Sequence, residues 1–254
     1  MRIVRRRHTL DGGHLFHLRF LTASSKSRAT TMSAQSSLSH IGLQAAVAQL
    51  MRQDTGLATI VERYGVPPMW DRPRGFATLV QIILEQQVSL QSAATLFARL
   101  TFALGAVTPA TVTASGVDGL RANGLTRQKA AYVVALAQHT ASGALPLQQL
   151  HRYSDDAATQ LLTHVPGIGP WTASVYQLMV LKRPDIWPPG DLALHKAVQK
   201  LRGLAVLPTS AEVTACALMW SPFRAVAARI LWHGYLQDRA ALLRTARVRP
   251  RPAP

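Results

Sequence analysis

Only one cysteine, Cys216, occurs in the 254 residues. That excludes a disulfide framework, a four-cysteine zinc site and a cysteine-ligated iron–sulfur cluster. Long apolar runs are missing as well, so no helical membrane span is expected. Acidic residues are scarce: 12 Asp plus Glu stand against 28 Lys plus Arg, a formal net charge of +16. Such an excess points to a polyanionic partner, nucleic acid first. Strand-type alternation of apolar and polar residues is also rare, which leaves little material for a sheet.

What is present reads as a globular chain long enough to bury a core, with 48% hydrophobic and 16% charged residues. The charge is uneven. Residues 1–40 carry seven basic and one acidic residue, the last stretch 239–254 carries five basic and none acidic, and 41–238 adds a further +5. The first stretch is rich in Arg and Ser, the composition of a transit peptide or of a solvated tail. The last, ending RTARVRPRPAP, is basic and Pro-rich. The expected organisation is therefore two disordered basic tails, 1–40 and 239–254, around a folded core at 41–238. With one cysteine and no apolar span, the chain reads as intracellular.

Helical periodicity recurs through the core. It predicts a helix over 41–64, ended by Gly65 and Val-Pro-Pro, and an apolar helix from Phe76 that meets the polar block Glu85-Gln86-Gln87 before Ser89. Further helices are predicted over 91–103, 109–115, 117–122, 127–142, 155–163, 170–181, 192–202, 209–219 and 222–237, punctuated by Gly and Pro.

The most informative stretch is LLTHVPGIGPWTASVYQLMVLKRPDIWPPGDLAL, residues 161–194. Gly167 and Gly169 around Ile168 make a tight turn, and Pro170 stands where the first helical residue belongs. Amides at such a turn, with the helix dipole behind them, suit a phosphate. Apolar Leu162, Val165 and Ile168 allow the turn to pack between two helices, and alanine at either glycine is expected to distort it. Asp191, 22 residues after Gly169, opens the next helix. Alone it reads as an N-cap; after a phosphate-gripping hairpin it places a carboxylate near a bound nucleotide.

This segment resembles the helix–hairpin–helix, Gly/Pro–Asp superfamily of base-excision DNA glycosylases, and within it the 3-methyladenine DNA glycosylase II branch. GFATLVQIILEQQVSLQSAATLFARL at 75–100 and GLRANGLTRQKAAYVVALAQHTASGALP at 119–146 agree with it. The similarity spans about 55–237 and lacks the N-terminal β-rich domain of larger bacterial members. It implies an all-α, two-lobed fold with the hairpin motif at about 158–181 and the active-site cleft between the lobes. It gives Asp191 the catalytic role, Gly167 and Gly169 a DNA phosphate, and Trp171 and Trp232 the walls of the base pocket. It gives Gln87 the wedge that enters the duplex, and the carbonyls of Thr163, Val165 and Ile168 a structural monovalent cation, Na or K. Positions 175 and 192, aromatic in some relatives, are Val175 and Leu192 here, and Tyr176 is expected to point elsewhere. Bifunctional relatives carry a Schiff-base lysine where this chain has Trp171.

The implied activity is monofunctional hydrolysis of the N-glycosidic bond of alkylated purines (3-methyladenine or 7-methylguanine type) in base-excision repair, with no cofactor for the chemistry. The implied partner is double-stranded DNA with a damaged base, met by a monomer with no membrane association, in the cytoplasm or nucleoid of a bacterium or an organelle or nucleus of a eukaryote. The chemistry fits the residues. Base departure leaves an oxocarbenium-like sugar that a carboxylate stabilises, and a flipped base leaves a gap that a side chain fills. Two alternatives stay open on the sequence: a glycosylase for neutral damaged bases such as deaminated purines or uracil, and a non-catalytic helix–hairpin–helix DNA-binding protein.

Overall fold

The computed structural model describes residues 37–248, with side chains described as far as Arg244. Of the tail expected over 1–40, residues 1–36 lie outside the described residues, and the end is corrected: Leu38 is buried and donates its amide to the Lys182 carbonyl, Ser39 caps the first helix and His40 begins it. Eleven α-helices follow in order: α1 (His40–Gln53), α2 (Thr55–Tyr64), α3 (Phe76–Glu85), α4 (Leu90–Leu104), α5 (Pro109–Ala122), α6 (Arg127–Ala141), α7 (Asp155–Thr163), α8 (Pro170–Met179), α9 (Leu192–Leu201), α10 (Ser210–Ala217) and α11 (Arg224–Val248). Short 3₁₀ turns at Leu147–Arg152 and Leu218–Trp220 complete the set among the described residues. The fold is all-α.

Two separate cores divide the helices. The first gathers apolar residues of α3 to α8, among them Leu79, Ile83, Leu100, Val133 and Tyr176. The second joins the two ends of the chain: Leu43, Leu50 and Leu57 from α1 and α2 meet Val198, Trp220, Ile230 and Leu231 from α9 to α11. Helix α8 belongs to both, because Val175 and Tyr176 face the first core and Leu178 the second. The C-terminal half of α8 is thus held at the border between the two cores.

Two further boundaries depart from the sequence expectation by more than a residue or two. The predicted helix over 41–64 is two helices, because Asp54 interrupts it. Its amide closes α1 on the Leu50 carbonyl, while its side chain accepts from the amides of Gly56 and Leu57 and caps α2. The second carboxylate oxygen accepts from Arg202 at 2.6 Å and from the buried Trp220 indole at 2.9 Å. Burial pushes the Asp54 carboxyl up, but the hydrogen bonds from Trp220 and Arg202 outweigh it and hold the group below the usual value. This contribution to stability is lost as pH falls through the lowered value. Asp54→Ala is expected to destabilise the fold by about 3 kcal/mol, the sum of a lost cap and a buried indole donor left unpaired; urea unfolding measures it.

The second correction concerns the basic tail expected from residue 239. Helix α11 continues through Val248. The run RAALLRTARV consists mostly of strong helix formers, and no Gly or Pro interrupts it before Pro250. The remainder of that tail lies outside the described residues. Elsewhere the punctuation acts as read: Gly116, at φ +61°, breaks α5 between its two predicted halves.

Candidate active site

Helices α7 and α8 are joined by a turn whose apolar residues set its shape. Val165 and Ile168 are buried in the first core, which leaves the glycines at the surface side of the turn. One internal bond, from the Ile168 amide to the Val165 carbonyl at 3.0 Å, closes it; the amides of Gly167 and Gly169 take no part in that closure. Gly169 is the N-cap of α8, Pro170 is its first residue, and no side chain caps the helix. The turn therefore presents backbone donors at a positive helix end. The two glycines are not equivalent. Gly167 sits at φ +87°, and a Cβ there would lie 2.1 Å from Cγ of Tyr132. Gly169 is extended, at φ −85° and ψ 177°, and a Cβ there meets nothing within 4 Å. The expectation that alanine at either distorts the turn is corrected: the steric demand falls on Gly167 alone.

Asp191 is the N-cap of α9, with Oδ1 accepting from the Leu194 amide at 2.9 Å. The same oxygen accepts from Nε1 of Trp232 at 3.2 Å, and Oδ2 accepts from Nε1 of Trp171 at 2.9 Å. Trp171 lies in the first turn of α8 and Trp232 in the middle of α11, so three helices converge on one carboxylate. Two lone-pair directions per oxygen leave Oδ2 with one further acceptor position. The sequence reading brought both tryptophans to the site as ring faces. The structure adds that their N–H edges grip the carboxylate, which only tryptophan among apolar aromatics can do. Val175 is buried in the first core, Leu192 is exposed, and Tyr176 is fully buried in the first core with its hydroxyl accepting from the Gly75 amide.

Gln87 lies exposed in the turn between α3 and α4, in a left-handed conformation with φ +58°. Its surroundings were not anticipated. Nε2 of the preceding Gln86 donates to the Gly167 carbonyl at 2.9 Å and to Oγ1 of Thr172 at 2.8 Å. The Lys129 ammonium donates to the carbonyls of Leu84 and Gln86 at 2.7 and 2.9 Å, and burial pulls its pKa below the ordinary value. The Gln86 amide ties the Gln87 turn to the hairpin, and the cation ties it to α6. The polar doublet at the end of an otherwise apolar helix was the available signal.

The carbonyls of Thr163, Val165 and Ile168 flank the hairpin turn. They are neutral oxygen donors, and among the described residues no cluster of His, Cys, Asp or Glu is arranged to hold a metal ion.

Residues 80–222 match the family described as HhH-GPD superfamily base excision DNA repair protein. The chain is 26% identical over 180 residues to DNA-3-methyladenine glycosylase 1 of Schizosaccharomyces pombe, covering 69% of this chain and 79% of that protein. It is 27% identical over 186 residues to the putative DNA-3-methyladenine glycosylase YfjP of Bacillus subtilis, covering 70% of this chain and 65% of the relative's length. Among solved structures, that of the S. pombe 3-methyladenine DNA glycosylase in complex with abasic DNA superposes with a TM-score of 0.69 at 26% identity, over 74% of this chain and 95% of that one. The match to the family covers more than half of the sequence, and the hairpin and Asp191 lie inside it: the chain belongs to the HhH-GPD superfamily of base excision DNA repair proteins, where its relatives are 3-methyladenine glycosylases.

Proposed function

We propose that this protein is a monofunctional DNA glycosylase that hydrolyses the N-glycosidic bond of an alkylated purine turned out of duplex DNA. The observation that carries the reading is the Asp191 carboxylate, held by two indole N–H groups beside a hairpin that offers backbone amides to a phosphate. The relatives named above for 3-methyladenine supply the substrate class.

The chemistry follows from this arrangement. The hairpin amides of Gly167 and Gly169 grip a phosphate and fix the register of the backbone. Gln87 fills the gap that the displaced base leaves and offers an amide to the unpaired partner. As the C–N bond lengthens, positive charge grows on the sugar, and the Asp191 carboxylate stabilises it and orients a water. An N-alkylated purine departs readily because it already carries positive charge. The faces of Trp171 and Trp232 stack against such a base. The carbonyls of Thr163, Val165 and Ile168 fit a monovalent cation behind the phosphate, since they offer neutral oxygen alone; the Val165 oxygen, though it accepts from Ile168, keeps a second lone pair. Such an ion would add positive charge at the phosphate-binding turn.

Excision from duplexes each carrying one lesion, cationic or neutral, tests the reading: release of 7-methylguanine or 3-methyladenine with an abasic product supports it, and inactivity on both sinks it. Strand cleavage provides a second check. Trp171 stands in the place of the Schiff-base lysine, Lys129 is committed to two carbonyls, and Lys182 is paired with Asp71. Gel analysis without alkali or heat should show intact abasic strand, and borohydride should trap no covalent adduct. A nicked product with a matching trapped complex overturns the monofunctional assignment.

The two indole donors give a further expectation. Trp171→Phe and Trp232→Phe keep an aromatic face but remove the N–H from Oδ2 and Oδ1 respectively. Each is expected to lower the single-turnover rate about tenfold, the scale of one charge-assisted hydrogen bond. The double variant should fall short of the product of the singles, because both act through one carboxylate.

A further inference from the structure

Between α2 and α3 runs a segment, residues 65–75, that contains Trp70. Its backbone has φ +51°. A bulky residue there is a true outlier, and such strain persists only where its surroundings over-determine it.

They do so here on both sides of the residue. The carbonyl of Met69 accepts from Nε of Arg229 at 3.1 Å. Arg229 is fully buried and donates also to the carbonyls of Leu178 and Ala225, at 2.8 and 3.3 Å. Burial lowers its pKa to about 10. Asp71 is paired with Lys182 at 2.9 Å. Arg72 is paired with Glu85 at 3.0 Å, and its amide donates to the Met179 carbonyl at 3.3 Å. Residues 69, 71 and 72 are thus fastened to α3, α8, α11 and Lys182 in the loop after α8, and residue 70 is presented between them.

Trp70 packs against the second core without being fully buried. It is half-buried, and lies edge-on to Trp232 with centroids 6.4 Å apart at 71°, and to His233 at 6.4 Å and 62°. Trp232 is one of the two indoles bonded to Asp191. On the other side, Arg72 holds Glu85, whose neighbour Gln86 bonds Thr172, the residue after Trp171. The strained residue is therefore set against Trp232, one of the two indoles that hold the carboxylate, and is itself only partly buried.

We propose that Trp70 is a third aromatic wall of the base pocket and a determinant of lesion specificity, its exposed face stacking on the extruded base. This rests on the glycosylase reading above. A flat cationic purine gains most from an added electron-rich face, because ring quadrupole and positive charge attract. A rigid support also limits how far the pocket relaxes around other shapes.

Two ring-deleting variants test it, with Trp70→Phe as an intermediate. Trp70→Ala removes the ring and keeps a residue that resists positive φ; Trp70→Gly removes the ring and the strain together. Single-turnover excision of 7-methylguanine from a duplex, at saturating enzyme, is expected to slow about tenfold or more in both, the scale of losing one base–aromatic stack. Trp70→Phe should lie between them and the wild type. Affinity for a duplex carrying an abasic-site analogue, which has no base to stack, should move less than threefold, while Trp70→Gly melts at a higher temperature than Trp70→Ala. The proposal is overturned if both folded variants excise at the wild-type rate. It is equally overturned if abasic-duplex affinity falls in step with excision, which would mark a structural role. A wild-type protein inactive on every alkylpurine would remove the glycosylase reading itself, and this proposal with it.

Discussion

Asp191→Asn is expected to lower single-turnover excision by about a hundredfold to a thousandfold, the range seen when a main electrostatic stabiliser of a transition state is removed. The substitution discriminates because so much of its structural role survives. Asparagine is as good an N-cap as aspartate, and its Oδ1 can still accept from the Leu194 amide and the Trp232 indole. The position of Oδ2 then becomes an amide nitrogen, and its hydrogens meet the N–H of Trp171 that the carboxylate accepts at 2.9 Å. Two donors facing each other push the ring or the amide aside. The anion that would face the sugar cation is gone. Stability is expected to change by about 1 kcal/mol, and affinity for an abasic-site duplex by a few-fold at most, since the phosphate contacts are proposed for the hairpin and not for Asp191. A folded Asp191→Asn protein that excises at the wild-type rate would show that another group stabilises the sugar.

Local sequence signals carried much of the fold and part of the site. Gly116 and Pro109 delimit the pieces of α5 because their effect is confined to their own backbone. The VPGIGPWTA run specifies its hairpin for the same reason: two buried aliphatics, a left-handed glycine and a proline at the first helical position all act within a few residues. What the sequence withheld is the partner of each polar group. Trp232 reaches Asp191 across 41 positions, and Gln86 reaches Gly167 across 81. Nothing in local pattern says whether an indole will meet its neighbour by face or by N–H. Asp54 shows the same limit in the fold. Its cap on α2 is made by the amides of Gly56 and Leu57 close by, but Arg202 and Trp220, which hold the second oxygen and keep it charged in a buried place, come from 148 and 166 positions away. Trp70 is legible only from its backbone angle, which has no counterpart in composition or spacing.

Gly167→Ala should have the largest effect on DNA binding of any single methyl added to this protein. At φ +87° an alanine carries the left-handed penalty of about 1 kcal/mol. Its Cβ would also stand 2.1 to 2.6 Å from Cγ, Cδ2 and Cβ of Tyr132, atoms near the base of the ring that no rotation of a flexible tip can move away. Overpacking of that kind adds about 2 kcal/mol. Relief requires the turn to back off, and the carbonyl that moves with it is the one Gln86 holds at 2.9 Å. Phosphate grip and wedge placement are therefore expected to fail together: affinity for an abasic-site duplex should drop tenfold or more whatever the flanking sequence, and excision with it. Gly169→Ala is the matched control. It has ordinary backbone angles and open space around the added methyl, so its stability should stay within about 0.5 kcal/mol of wild type. Tyr132→Ala in the Gly167→Ala background removes the overlap but not the left-handed strain, and should restore part of both stability and affinity, a coupling that a double-mutant cycle reads directly. Wild-type affinity in a folded Gly167→Ala protein, at a salt concentration where binding is measurably electrostatic, would take the phosphate away from this turn.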